Sequence, residues 1–185
     1  MAVTVFVPGS EEPLKHSLTL LATLGIIAWS QSAVAQPRAA HNVSDGIEIV
    51  TGIMDYDLSG TGRTIPLTVR ATKALSEDVS FEAGATIANA EQQFGRSTFT
   101  APEVRVVYAW RLGRVLPFIG GGGGVSATQS DLLGTRWRST LLAGGGARVQ
   151  LNDQIYAIGE LRLRGVSRKF SGSTGEFLGG LGWQF

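Results

Sequence analysis

The 185-residue chain is 43% hydrophobic and 17% charged, holds 25 glycines and no cysteine, and has a formal net charge of +1. It is too apolar for a disordered chain, and its glycines follow no G-X-Y period, which excludes collagen. Without cysteine there are no disulfides, thiolate metal sites, cysteine nucleophile or lipoprotein-type anchoring cysteine, and arginines spaced mostly singly give no reason to expect nucleic acid.

In chain order, the first element is an apolar run, Ser17–Trp29, preceded by Lys15 and His16 and followed by Ala33-Val34-Ala35. A charged approach, an apolar core and an A-x-A end are the parts of a cleavable secretory signal. The run is shorter than the ~20 residues a spanning helix needs. A buried helix or an uncleaved anchor is the competing reading. Glu11 and Glu12 are out of place in such a signal, which sets its basic start nearer Lys15. Residues 1–35 are therefore read as the signal peptide, with Ala33 and Ala35 marking cleavage. Residues 36–44 are a short tail and 45–185 a single β domain.

Eight runs of period-two alternation follow, near 46–56, 64–75, 79–90, 102–112, 116–127, 135–150, 154–166 and 175–185. Strands in soluble sheets average roughly five or six residues, whereas these reach the ~9–11 of a tilted transmembrane strand. Ser76-Glu77-Asp78, Gly113-Arg114 and Asn152-Asp153 read as tight turns. Asp57–Arg63, Glu91–Phe99, Thr128–Gly134 and Ser167–Thr174 read as longer polar loops. Short turns on one rim and longer loops on the other predict a closed, antiparallel, up-and-down barrel of the outer-membrane kind.

The alternation also separates two faces. One parity is aliphatic, as in Val104, Val106 and Tyr108 or Ile155, Ala157, Leu161 and Leu163, with Trp110, Trp137, Trp183 and Phe185 near strand ends. Aromatic rings at strand ends suit a membrane–water boundary. The other parity carries Glu48, Glu82 and Glu160 with Arg70, Arg105, Arg148 and Arg162. A barrel of about eight strands is just wide enough to be filled by side chains, and an unpaired ion in a dry lumen is costly. These seven residues are therefore expected to form an internal ion-pair network. A soluble β-sandwich with a solvated charged face is the alternative.

Gly120–Gly124 and Gly144–Gly146 fall inside strands five and six. A phosphate cradle needs a following Lys-Ser/Thr, whereas Val125-Ser126-Ala127-Thr128 follows here. Glycine within strands marks tight curvature or close packing instead.

Three segments, Leu116–Gly122, Leu142–Val149 and Ile158–Arg164, resemble the small OmpA/OmpX-type, opacity-like outer-membrane β-barrel family. The final Gly182-Trp183-Gln184-Phe185 resembles the C-terminal signature read by the barrel-insertion machinery, with Trp183 and Phe185 as its apolar positions. The resemblance spans about Asp45 to Phe185. It implies an eight-stranded barrel in a bacterial outer membrane, with a structural, adhesive or other surface role.

Nothing in the chain implies a cofactor or metal, and an enzyme is not expected. His41 is the only histidine after the signal and lies in the tail, while Asp55 and Asp57 share a face with no histidine partner. A lipid-modifying enzyme of the same fold and a narrow channel are the alternatives. Expected partners are lipopolysaccharide, phospholipid and the insertion machinery, with the chain a monomer. Arg63, Arg96, Arg136, Arg168 and Lys169 are placed to meet lipopolysaccharide phosphates.

Overall fold

The computed structural model describes residues 43–57, 61–92, 95–130, 134–167 and 172–185. The signal-peptide reading, with Ala33 and Ala35, falls outside them, as do His41, Arg168 and Lys169. Nine strand segments succeed one another: β1 Gly46–Asp57, β2 Thr61–Thr64, β3 Pro66–Ala74, β4 Val79–Gln92, β5 Gly95–Ala109, β6 Val115–Ser130, β7 Gly134–Gln150, β8 Ile155–Val166 and β9 Gly172–Gln184.

β2 and β3 are two pieces of one barrel strand. Both pair with β1 in a single register, since Met54 faces Thr64 and Thr51 faces Leu67. The ladder breaks at Ile65–Pro66, where proline has no N–H to donate. Thr51 Oγ1 donates to the Pro66 carbonyl at 2.8 Å instead. With that strand counted once the barrel has eight, each antiparallel to the next, and β9 closes on β1 from Gly46↔Gln184 to Asp57↔Ser173.

The register also fixes the tilt. Stepping across paired residues from Gly46 leads through Thr72, Glu82, Arg105, Gly122, Leu142, Arg164 and Thr174 back to β1 at Tyr56. The path returns ten residues from its start, Gly46 to Tyr56. Such a stagger across eight strands tilts them into the roughly 35–45° range of closed barrels.

Burial alternates along the strands as the pleat requires. On β8, Tyr156, Ile158, Glu160, Arg162 and Arg164 are buried, while Leu161 and Leu163 are exposed. The exposed set around the barrel is apolar, including Ile49, Leu67, Val106, Ile119, Leu141, Leu161 and Phe177. An apolar band of that extent facing outward is the surface a bilayer covers and water does not. Tyr108, Trp110, Trp183 and Phe185 lie at the short-turn rim, and Trp137 stands near the other. Tyr108 and Trp110 stack with centroids 6.0 Å apart.

The tight turns form where turn residues stood in sequence. Asn152 Oδ1 accepts from the Gln154 and Ile155 N–H groups at 2.9 and 2.8 Å, and Gly113 takes φ +65°, a conformation that favours glycine.

The expected long loops differ from the structure. Residues 61–63, Gly95–Phe99, Thr128–Ser130 and residues 172–174 belong to strands. These stretches carry polar residues because the strands continue past the apolar band, where both faces can meet water and apolar alternation is no longer required. Arg111, read as part of strand four, follows the end of β5 at Ala109 and is exposed.

Candidate functional site

Among the described residues the lumen holds five buried carboxylates and five buried guanidinium groups: Glu48, Glu82, Glu103, Glu160 and Glu176 with Arg70, Arg105, Arg148, Arg162 and Arg164. They sort into two groups of zero net charge, the lower nearer the short turns.

The lower group is a closed ring of alternating sign. Arg148 Nε meets Glu48 Oε1 at 2.7 Å and its Nη2 meets Glu82 Oε1 at 2.5 Å. Arg105 Nε meets Glu82 Oε2 at 2.7 Å, and its Nη1 is bonded to Glu160. Arg70 Nη2 meets Glu160 Oε2 at 2.7 Å, and its Nε is bonded to Glu48, which completes the circuit. Every carboxylate thus bridges at least two arginines and every arginine at least two carboxylates, with Arg70 Nε also 3.4 Å from Glu82 Oε2. The six residues come from β1, β3, β4, β5, β7 and β8. Tyr156 Oη adds a donor to Glu48 Oε1 at 2.8 Å.

The upper group joins Glu103 of β5 to Arg162 and Arg164 of β8 and Glu176 of β9. Arg162 Nε donates to Glu176 Oε2 at 2.8 Å and Arg164 Nη2 to Glu103 Oε2 at 2.6 Å, while Arg162 also bonds Glu103. Threonines add further bonds: Arg162 Nη2 reaches Thr86 Oγ1 at 3.1 Å, and Thr174 Oγ1 donates to Glu176 Oε1 at 2.9 Å.

Apolar side chains pack against the charges. Val43, Val50, Val107, Ala109, Phe118, Ile158 and Leu178 form one cluster, which reaches between the two charged groups with Val50 and Leu178, and Met54, Tyr56, Ala88, Phe99 and Ala101 form the other, toward the long-loop rim. Each cluster offers a ring to the charges it meets, Phe118 lying 4.8 Å from the Arg148 guanidinium and Phe99 5.4 Å from that of Arg164.

The glycine runs make the room these long side chains need. Gly122 lies opposite Arg105, Gly124 opposite Glu103, Gly144 opposite Arg162 and Gly146 opposite Glu160. A Cβ at Gly122 would stand 2.0 Å from the Val104 carbonyl oxygen and 2.7 Å from Arg105 Cβ. At these positions β6 and β7 contribute backbone where the facing strand contributes a long side chain.

Of the seven residues expected in the lumen, six form the ring and Arg162 sits in the upper group. Glu103, Arg164 and Glu176 stood on the same parity and were not singled out; that parity was the signal that would have found them. Phe99 lay in a stretch read as loop. Trp183 and Phe185 are exposed on the outer surface, and the Phe185 N–H donates to the Asp45 carbonyl at 3.0 Å. Arg63 lies on the outer face in an exposed pair with Asp55, Nε to Oδ1 2.7 Å, whereas Arg136 lies on the opposite parity to the lipid-facing residues of β7. Among the described residues no group of three or more His, Cys, Asp or Glu is placed to hold a metal ion.

No protein-family model matches the chain, and no curated protein sequence matches it. Solved structures do. Neisserial surface protein A aligns at 14% identity over 76% of this chain and 97% of its own, with a TM-score of 0.67. The N-terminal β-barrel domain of OprF from Pseudomonas aeruginosa aligns at 14% identity over 77% of this chain and 98% of its own, with a TM-score of 0.56. The outer membrane protein OprG from the same organism aligns at 12% identity over 78% of this chain and 97% of its own, with a TM-score of 0.50. At such identities the likeness is one of fold, and it agrees with the closure, register and outward apolar band described above. The chain has the closed eight-stranded fold of the small OmpA/OmpX-type outer-membrane β-barrels.

Proposed function

We propose that the protein is an integral outer-membrane barrel with a sealed lumen, whose role in envelope integrity or surface interaction is carried by its outside. The observation that carries this reading is the closed Glu48–Arg70–Glu160–Arg105–Glu82–Arg148 ring, with apolar side chains packed against it. Side chains that pair across an eight-stranded lumen fill it and leave no room for a general diffusion pore. The same reading has the chain exported by a cleaved signal and inserted as a monomer through recognition of Trp183 and Phe185. Lipopolysaccharide and phospholipid then contact its apolar band.

The test is a deletion strain. Heightened sensitivity to detergents and bulky antibiotics, restored by the wild-type gene, is the expected result. Loss of a lipid A or phospholipid modification with an intact permeability barrier would instead support an enzyme, and loss of small-solute uptake a channel. Either would overturn the reading.

A further inference from the structure

The residues before β1 turn into the lumen. On β1, Gly46, Glu48 and Val50 are buried toward the barrel axis, while Ile49 and Ile53 face outward. Continued backward, that alternation would put Val43 on the outward parity. The chain bends at Val43 instead, and Val43 is 4% exposed, buried with the lumen residues Val107, Ala109, Phe118 and Ile158. Asp45 fixes the turn inward. Its Oδ1 accepts from the Ala74 N–H at 2.9 Å, its Oδ2 meets Lys73 Nζ at 2.5 Å, and its carbonyl accepts from the Phe185 N–H at 3.0 Å. Residue 45 is thereby tied to the ends of both strands that flank β1. Val43, two residues away, reaches no more than about 7 Å from that rim.

Two hydroxyls lie at the same end of the lumen. Thr72 is paired with Gly46 and Ser80 with Val107, and both face inward and are buried. Inward side chains at the last registers of a strand face an open mouth unless something fills it, so their burial marks a filled one. Among the described residues neither hydroxyl has a hydrogen-bond partner. A buried hydroxyl left unpaired carries a desolvation penalty comparable to the gain from burying an aliphatic side chain. The two hydroxyls thus offset part of what Val43 gains by burial, which leaves its seated position favoured but reversible.

We propose that residues 43–45 are a releasable stopper for the short-turn mouth of the lumen. Seated, Val43 fills the mouth beneath the charged ring. Withdrawn, it admits water to Thr72 and Ser80 and leaves a hydroxyl-lined vestibule, while the ring above stays paired. Asp45 is the hinge, because its bonds to β3 and to Phe185 hold the rim in either position of Val43. The proposal rests on the sealed-lumen reading and deepens it: the ring is the permanent seal and Val43 a second, removable one.

The chain has no cysteine, so one introduced thiol reports alone. Ser80→Cys, purified from membranes in detergent, is treated with a small cationic methanethiosulfonate reagent, and labelling is followed by mass. Ser126→Cys, buried toward the long-loop end of β6, is the control. With Val43 in place, Ser80→Cys should label slowly but to completion in the folded barrel. Val43→Gly should speed that labelling by at least about tenfold, the scale of a lost valine burial, and leave Ser126→Cys unchanged. Val43→Leu should keep the slow rate. Equal rates for Ser80→Cys with Val43 and with Val43→Gly would overturn the proposal. So would labelling that waits for the barrel to unfold, which marks a fixed plug, or equal acceleration of Ser126→Cys, which marks a loosened barrel. The sealed-lumen reading fails on a different result, a steady conductance of the cysteine-free chain with Val43 in place.

Discussion

Arg148 and Glu48 stand 100 residues apart in sequence, yet Arg148 Nε donates to Glu48 Oε1 at 2.7 Å across the centre of the lumen. Glu48 also holds Arg70 and the Tyr156 hydroxyl. One carboxylate therefore ties together β1, β3, β7 and β8. Removing one partner of a buried pair strands the other charge, at a typical loss of about 3–5 kcal/mol. Glu48→Ala is expected to lower stability by that order, measured by urea unfolding in lipid vesicles. Replacing Glu48 and Arg148 together with Met should cost less than the two single changes summed, because no lone charge between them remains.

The glycines give a second prediction. A Cβ at Gly122 would stand 2.0 Å from the Val104 carbonyl oxygen, while one at Gly159 would have nothing within 4 Å. Gly122→Ala should sharply lower the yield of folded barrel in refolding assays, and Gly159→Ala should leave it near wild type. Equal yields would show that the close approach of β5 to β6 is not what the glycine run provides.

These two cases show how much could be read in advance. Parity placed Glu48 and Arg148 on the lumen face because alternation is a local property of a strand. Which acid meets which base is not local: it depends on the stagger that carries Gly46 to Tyr56 around the barrel, and no single strand contains it. Glu103, Arg164 and Glu176 were visible on the polar parity, but nothing within their own strands separated a second cluster from the first. Phe99 and the strand extensions were obscured for a different reason. Above the apolar band a strand no longer needs an apolar face, so Gly95–Phe99 and Thr128–Ser130 resemble loop by composition.

The outward face gives a third prediction. Leu161 is 64% exposed near mid-band, where an arginine on the lipid side of a barrel costs about 2–4 kcal/mol, falling to about 0–1 near the interfaces. Leu161→Arg should destabilise the protein in vesicles by the larger amount. Leu112→Arg, beside the turn at Gly113, should fall in the smaller range. Equal small effects would indicate a surface bathed in water.

The sealed lumen gives a fourth. Purified protein in planar bilayers should show no steady ion conductance at moderate voltage, since two neutral clusters and the apolar side chains packed against them occupy the lumen. A stable, reproducible conductance in the wild type would contradict the sealed lumen and favour a channel.

The most direct test of the central claim, a closed barrel resident in a membrane, is membrane fractionation followed by gel electrophoresis with and without boiling. The account predicts that the mature chain stays with the outer-membrane fraction after alkaline washing and migrates differently when unboiled, as a closed barrel retained in detergent would. Recovery in the soluble periplasmic fraction, with the same mobility boiled or unboiled, would contradict it.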